Sequence, residues 1–217
     1  MTTTVVLGDT LTAICSAHAI LDMRPEEHVH LVIEKAEVGL IGEAPGLFEE
    51  WPPCPLHWIS ELASQAPTDD STAVRRSWFE KSVGTALSMR GCAIHLRTRV
   101  TSIENGQVHF VGAGPMGTGA LVYDSLLDLR TQPRGSEEWS GAVCRTADAP
   151  SGEIAGVRSD GTTEIWVSGG RKDGSIWLQE MTWRGQDPRY ALSCDIQAGI
   201  SEASALVDTI IQKPTGQ

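Results

Sequence analysis

The first forty residues constrain the chain most. "TTVVLG" is a short β-branched run, "TLTAICSAHAILDM" places Leu11, Ile14, Cys15, Ala17, His18 and Leu21 at helical spacings, and "HVHLVIEK" is a second apolar strand ending at Glu34. Pro25 separates the helix from that strand. Two strands joined through a helix make a right-handed crossover between parallel neighbours, so an α/β sheet is expected. The 217 residues suffice for one large domain, or one domain with a small second lobe.

Residues 35–72 are less regular, with four prolines before Pro67, and read as a long loop, a short helix near Leu56 to Gln65, and a turn. "TAVRRSWFEKSVGTALSMR" is the strongest helix, carrying Val74, Trp78, Val83 and Leu87 and stopped by Gly91. Strand-like pieces follow at "CAIHLRTRVTSIE", "QVHFVG", "ALVYDSLLDL", "GAVCRTA", "EIAGVR", "TEIWVSGG" and "SIWLQEMTWR". Asn105-Gly106 and Asp160-Gly161 between some of them favour antiparallel hairpins. The last helix is expected over "SEASALVDTIIQK", with Ser201 as N-cap and Glu202 in its first turn.

Two stretches compete as a dinucleotide fingerprint, which works physically only inside a strand, tight turn, helix and second strand. "VHFVGAGPMGTG" has the spelling, with Gly112, Gly114 and Gly117, but no acidic strand end follows near residue 132, so it reads as a hairpin connection. "VVLGDTLTA" has the context. There Gly8, Thr10 and Ala13 occupy the three glycine positions, and Glu34 closes the second strand. Gly8 can make the turn and Ala13 permits close helix packing, whereas Thr10 puts a side chain where backbone should approach a pyrophosphate. Its hydroxyl could donate one hydrogen bond in return, while Asp9 is an unfavourable neighbour for phosphate.

The formal net charge of -11 argues against nucleic-acid binding. An amino-terminal stretch without a basic region, and with its apolar run interrupted by Asp9, Thr10 and His18, argues against a signal peptide or membrane span, so a cytoplasmic protein is expected. Five scattered cysteines, Cys15, Cys54, Cys92, Cys144 and Cys194, suit free thiols.

Four blocks carry a resemblance to the FAD-dependent oxidoreductases that include aromatic hydroxylases, geranylgeranyl-reductase-like proteins and tryptophan halogenases. They are "VVLGDTLTA" with "LVIEK", "GLIGEAPGLF", "RRSWFEKSVGTALSMRGCAIHLRTRVTSIE" and "YALSCDIQAGISEASALVDTI". The resemblance implies an α/β, FAD/NAD(P)-binding Rossmann-like fold with a β-meander and a reduced antiparallel lobe. It implies a binding domain over 1–138 and 185–217 and an antiparallel β insertion over 139–184. It would place the FAD pyrophosphate near Gly8, Thr10 and Ala13, the adenosine ribose on Glu34, and Arg76 close to the phosphates. Asp195 would face the ribityl chain, and a helix after Gly199 would aim its positive end at the flavin. Thr10 and Cys194 stand where the family has glycine, and the family's large substrate domain is missing.

Other constellations are weaker. The pairs Cys54/His57 and Cys92/His95 have zinc-ligand residue types, but positions three apart on a strand face opposite sides. His28 and His30 share a strand face without a third ligand. The loop from Trp51 to Trp58 reads as core plugs, with a pocket wall or partner-docking surface as the alternative. Trp139, Trp166, Trp177 and Trp183 are expected on one sheet face. Two functions follow: a small flavoprotein oxidoreductase that binds FAD through its N-terminal unit and acts on a small-molecule substrate, or a non-catalytic relic of the fold serving as a protein partner or scaffold. Loss of a covering domain also invites a homo-oligomer.

Overall fold

The structure, a computed structural model, describes residues 2–39, 44–62, 65–112, 117–131, 135–151, 154–169 and 177–212. The N-terminal unit forms as its periodicity predicts: β1 (Thr3–Leu7), α1 (Leu11–Met23) and β2 (His28–Val32), with β1 and β2 parallel. The expected helix from Leu56 to Gln65 is instead a 3-10 turn, Leu56–Trp58, followed by non-helical backbone over 59–62. The next helix, α2 (Arg76–Met89), ends before Gly91, whose φ of +92° suits glycine. It starts four residues later than its apolar pattern suggests, because Ala73 bridges Leu47 in extended form.

Two of the strand-like pieces each divide in two. "CAIHLRTRVTSIE" becomes β3 (Ala93–His95) and β4 (Arg99–Glu104), and β5 (Gln107–Val111) follows. "ALVYDSLLDL" becomes β6 (Thr118–Val122) and β7 (Ser125–Asp128), turning where the Asp124 carboxylate accepts a hydrogen bond from the Thr3 amide at 2.7 Å. A four-stranded parallel sheet results, in the order β3-β2-β1-β7, beside a three-stranded antiparallel meander β4-β5-β6. Alternation along β1 sorts the layers. Val6 faces the helices, whereas Val5 and Leu7 pack with Val32 against Val108 of the meander.

The remaining strands, β8 (Glu138–Arg145), β9 (Ile154–Val157), β10 (Thr162–Ser168) and β11 (Gln179–Arg184), form a second antiparallel sheet in the order β11-β8-β10-β9. Trp139, Trp166 and Trp183 cluster on one of its faces, and Trp166 lies over Gly141, where a Cβ would come within 2.5 Å of the ring. Glu164 is buried on that face. It pairs with Arg158 and accepts from the Trp166 indole at 2.7 Å and from the Gly46 amide at 2.8 Å, tying this sheet to the long loop.

The last helix corrects the reading of its start. It is α3 (Ala191–Gln212), so Ser201 is interior rather than an N-cap, and Gly199 lies within the helix rather than before it. Its inward positions, Leu192, Ile196, Gly199, Ala203 and Val207, keep an unbroken helical spacing through the glycine. Gly199 is where α3 crosses α1: an added Cβ would sit 2.6 Å from the Thr12 carbonyl oxygen and 2.7 Å from the Cys15 Cβ. No helix among the described residues is long and apolar enough to cross a membrane.

The Trp51–Trp58 loop plugs the core. Trp58 is buried, stacks on His18 at 4.9 Å and donates its indole hydrogen to Asp22 at 2.8 Å, while Trp51 meets Phe79 edge-on. His18 is itself buried. Its Nε2 donates to the Val83 carbonyl at 2.9 Å, and its Nδ1 accepts from Arg90 at 2.8 Å, which fixes the neutral tautomer.

Two predictions follow from this packing. Gly199→Ala gains about 1 kcal/mol of helix propensity, but the clash is with backbone. Overpacking should win, with a net loss of roughly 1–3 kcal/mol in urea unfolding. Burial lowers the His18 pKa to about 4. The unfolded chain therefore binds the proton more tightly than the folded one, and stability present above about pH 6.5 drains away as the pH falls toward 4. His18→Gln should flatten that part of the stability profile, by about 3 kcal/mol at its acid end.

Candidate functional site

The carboxyl ends of β1 and β7, the start of α1 and the first turns of α3 surround a cavity of about 280 Å³. In open α/β sheets, ligands bind beyond the carboxyl ends of the strands. Asp9, Thr10, Arg76, Arg130, Cys194 and Asp195 are among its lining.

Gly8 makes the turn that opens this site. Its φ is +154°, its amide donates to the Val32 carbonyl at 3.1 Å, and an added Cβ would meet the Ala13 Cβ at 3.0 Å. Gly8 and Ala13 thus hold helix against strand, as their fingerprint positions imply. Thr10 is the N-cap residue of α1 but makes no side-chain capping bond, and its Oγ1 is buried without a hydrogen-bond partner among the described residues. The first intrahelical bond reaches back from Ile14 to the Thr10 carbonyl, so the earlier amides at the cavity have no side-chain cap.

Arg76 is the most constrained charge here, with a side chain only 3% exposed. Its Nε donates to Glu80 at 2.8 Å, one terminal nitrogen donates to the Pro45 carbonyl at 3.0 Å, and the other pairs with Asp195. Burial pulls the Arg76 pKa down, but Asp195 and Glu80 outweigh it and hold the guanidinium charged. Burial in turn pushes the Glu80 carboxyl up against the pull of Arg76. Arg130 is engaged by Asp128 through contacts of 2.8 and 2.5 Å.

The expected site residues therefore divide. Thr10, Arg76 and Asp195 meet at one cavity, with Gly8 and Ala13 just behind it. Glu34 instead lines a second, open cleft of about 430 Å³ with Arg97 and Arg99. Gly199 packs between α1 and α3 in the interior of α3, and among the described residues no helix begins after it. Glu80 and Arg130 went unread. The i,i+4 spacing of Arg76 and Glu80 was an available signal for the first, but Arg130 depends on β7, whose place in the sheet has no local signature.

The best-spelled glycine stretch joins antiparallel β5 and β6, and the Gly112 amide donates to the Gly117 carbonyl at 3.1 Å; Gly114 lies outside the described residues. Of the Cys/His pairs, Cys54 and Cys92 are buried, His57 bonds Asp22 at 2.9 Å, and His95 bonds His30 at 2.9 Å. Among the described residues, no group of three or more His, Cys, Asp or Glu side chains could hold a metal ion.

No protein-family model and no curated protein sequence matches the chain. Solved structures do. CabE, an aromatic hydroxylase from angucycline biosynthesis, superposes with a TM-score of 0.56 at 12% identity, over 95% of this chain and 63% of CabE. A flavoprotein/dehydrogenase from Cytophaga hutchinsonii gives 0.59 at 11% identity, over 100% of this chain and 80% of that one. CtdE, solved in complex with FAD and a substrate, gives 0.51 at 9% identity, over 96% of this chain and 66% of CtdE. The chain thus has the FAD/NAD(P)-binding Rossmann-like fold of flavoprotein oxidoreductases, and at these identities the likeness is one of fold. It spans less than two thirds of the length of CabE.

Thiol chemistry offers a check on the cavity wall. Cys15, Cys54, Cys92 and Cys144 are buried, and burial pushes their thiols up, those of Cys54 and Cys92 to about 12. Cys194 is partly exposed at the cavity. N-ethylmaleimide should label Cys194 first in the native protein. Peptide mass mapping that finds another cysteine modified earlier would contradict this wall.

Proposed function

We propose that the chain is a small flavoprotein oxidoreductase-like protein that binds FAD through its N-terminal β-α-β unit. One observation carries the reading: the Gly8 turn delivers the start of α1 to the cavity, where Thr10 lines the wall with its hydroxyl buried and unpartnered behind it. The orphaned hydroxyl and the first-turn amides are donors of the kind a diphosphate requires. Gly8, Thr10 and Ala13 would hold the pyrophosphate, and Glu34, two residues past β2, the adenosine ribose. Asp195 and Arg76 would border the remainder of the ligand. Bound flavin would supply electron transfer to or from a small-molecule substrate. The chain's own part is to bind, to orient, and to hold charge: α1 favours an anion at its start, whereas Asp9 opposes one.

A second reading, a non-catalytic scaffold or protein partner that has kept the fold, is favoured by one observation. Arg76 is already matched by Glu80 and Asp195, so its charge is not free for a phosphate. A homo-oligomer fits either reading.

Under the first reading, freshly purified protein carries flavin absorbance, or gains it with a rise in Tm when FAD is added. Thr10→Val, which removes the unpartnered hydroxyl at nearly constant shape, should weaken both effects while circular dichroism stays native. A colourless protein whose Tm ignores FAD would rule out the first reading and leave the second.

A further inference from the structure

The carboxylates that hold Arg76 are not equivalent. Glu80 also lines the cavity, but it sits one turn further along α2 with its side chain only 7% exposed, so its contact is made within one helix. Asp195 comes from a different element, α3, and its side chain is 24% exposed and faces the cavity. The third acceptor is the Pro45 backbone carbonyl. Of the three groups on the guanidinium, Asp195 is therefore the one that can leave by a side-chain rotation, and the nitrogen it would vacate lies at the wall where Thr10 Oγ1 is orphaned.

We propose that Asp195 is an internal stand-in for a ligand anion: it occupies the terminal Arg76 nitrogen until a diphosphate displaces it, and so sets the affinity of the cavity for diphosphate ligands. The inference rests on the nucleotide reading above and adds its regulation. Exchanging one anion for another on Arg76 keeps its terminal nitrogen paired throughout, whereas vacating the position would leave a buried donor without an acceptor, with Glu80 as the remaining counter-charge. The contact therefore closes the site without destabilising the fold, and selects for ligands whose phosphates outcompete a single carboxylate.

The test is calorimetric titration of wild type, Asp195→Ala and Asp9→Asn with ADP and with FAD, paired with thermal shifts. Asp195→Ala should bind ADP at least tenfold more tightly than wild type. Its Tm without ligand should be lower and its ADP-induced rise larger, because the ligand gives the vacated Arg76 nitrogen an acceptor. Asp9→Asn removes the same charge from the same cavity without touching Arg76, and should gain less than threefold. Equal gains in the two variants would reduce the effect to net charge and overturn the proposal. Wild type binding ADP with no gain in Asp195→Ala would overturn it too, and leave the nucleotide reading standing. Failure of wild type and variant alike to bind ADP or FAD at millimolar concentration would end both. If Asp195→Ala does not fold, Asp195→Asn keeps the shape, removes the charge and carries the same expectation.

Discussion

A guanidinium buried where α2 meets α3 has to be compensated, and much of the structure is arranged around doing so. An isolated charge there would cost several kcal/mol even after relaxation. Glu80 and Asp195 together bring two carboxylates to it, and the Pro45 carbonyl takes a further donor. The adjacent residue then reaches the other way, its Gly46 amide donating to Glu164 in the antiparallel sheet. Residue 46 must be glycine for this to work, since a Cβ would fall 1.8 Å from the Val74 carbonyl oxygen. Two consecutive residues thus connect two buried ion pairs, Arg76 with its carboxylates and Arg158 with Glu164, and pin the long loop between the two sheets.

The part of the fold that was legible in the sequence is the part set by local period. β1, α1 and β2 lie consecutively, and their apolar spacing changes where the structure changes. β3 and β7 were hidden for the opposite reason. They are three and four residues long, and what makes them strands of the parallel sheet is pairing with β2 and β1, far away in the chain. Glu164 was equally illegible. A glutamate within a strand reads as outward-facing until Arg158, Trp166 and Gly46 are known to converge on it.

Gly199 shows how one residue type supports two physical readings. A glycine following an aspartate in an apolar stretch resembles punctuation before a helix. It is also what two helices need in order to cross closely, and the distances to Thr12 and Cys15 select the second meaning. Misplacing the start of α3 had a consequence for the site. Asp195 was expected ahead of the helix, facing a ligand's ribityl chain, but on a helical turn it reaches Arg76 instead. The error therefore concerned the charge state of the cavity as much as a boundary.

The residues that match the dinucleotide-binding pattern and those that depart from it do different physical work here. Gly8 and Ala13 press strand against helix, Gly199 presses helix against helix, and Arg76 cross-links α2 to α3; each is accounted for by folding alone. The departures, Asp9, Thr10 and Cys194, line the cavity. Selection for the fold would retain the first set whether or not a cofactor is held, so those matches carry little weight on the question of FAD. The weight falls on the cavity-lining residues, and above all on Thr10, whose hydroxyl is buried without a partner: such a donor carries a desolvation cost of about 1–3 kcal/mol. An apolar residue of similar shape would remove that cost if nothing ever bound there.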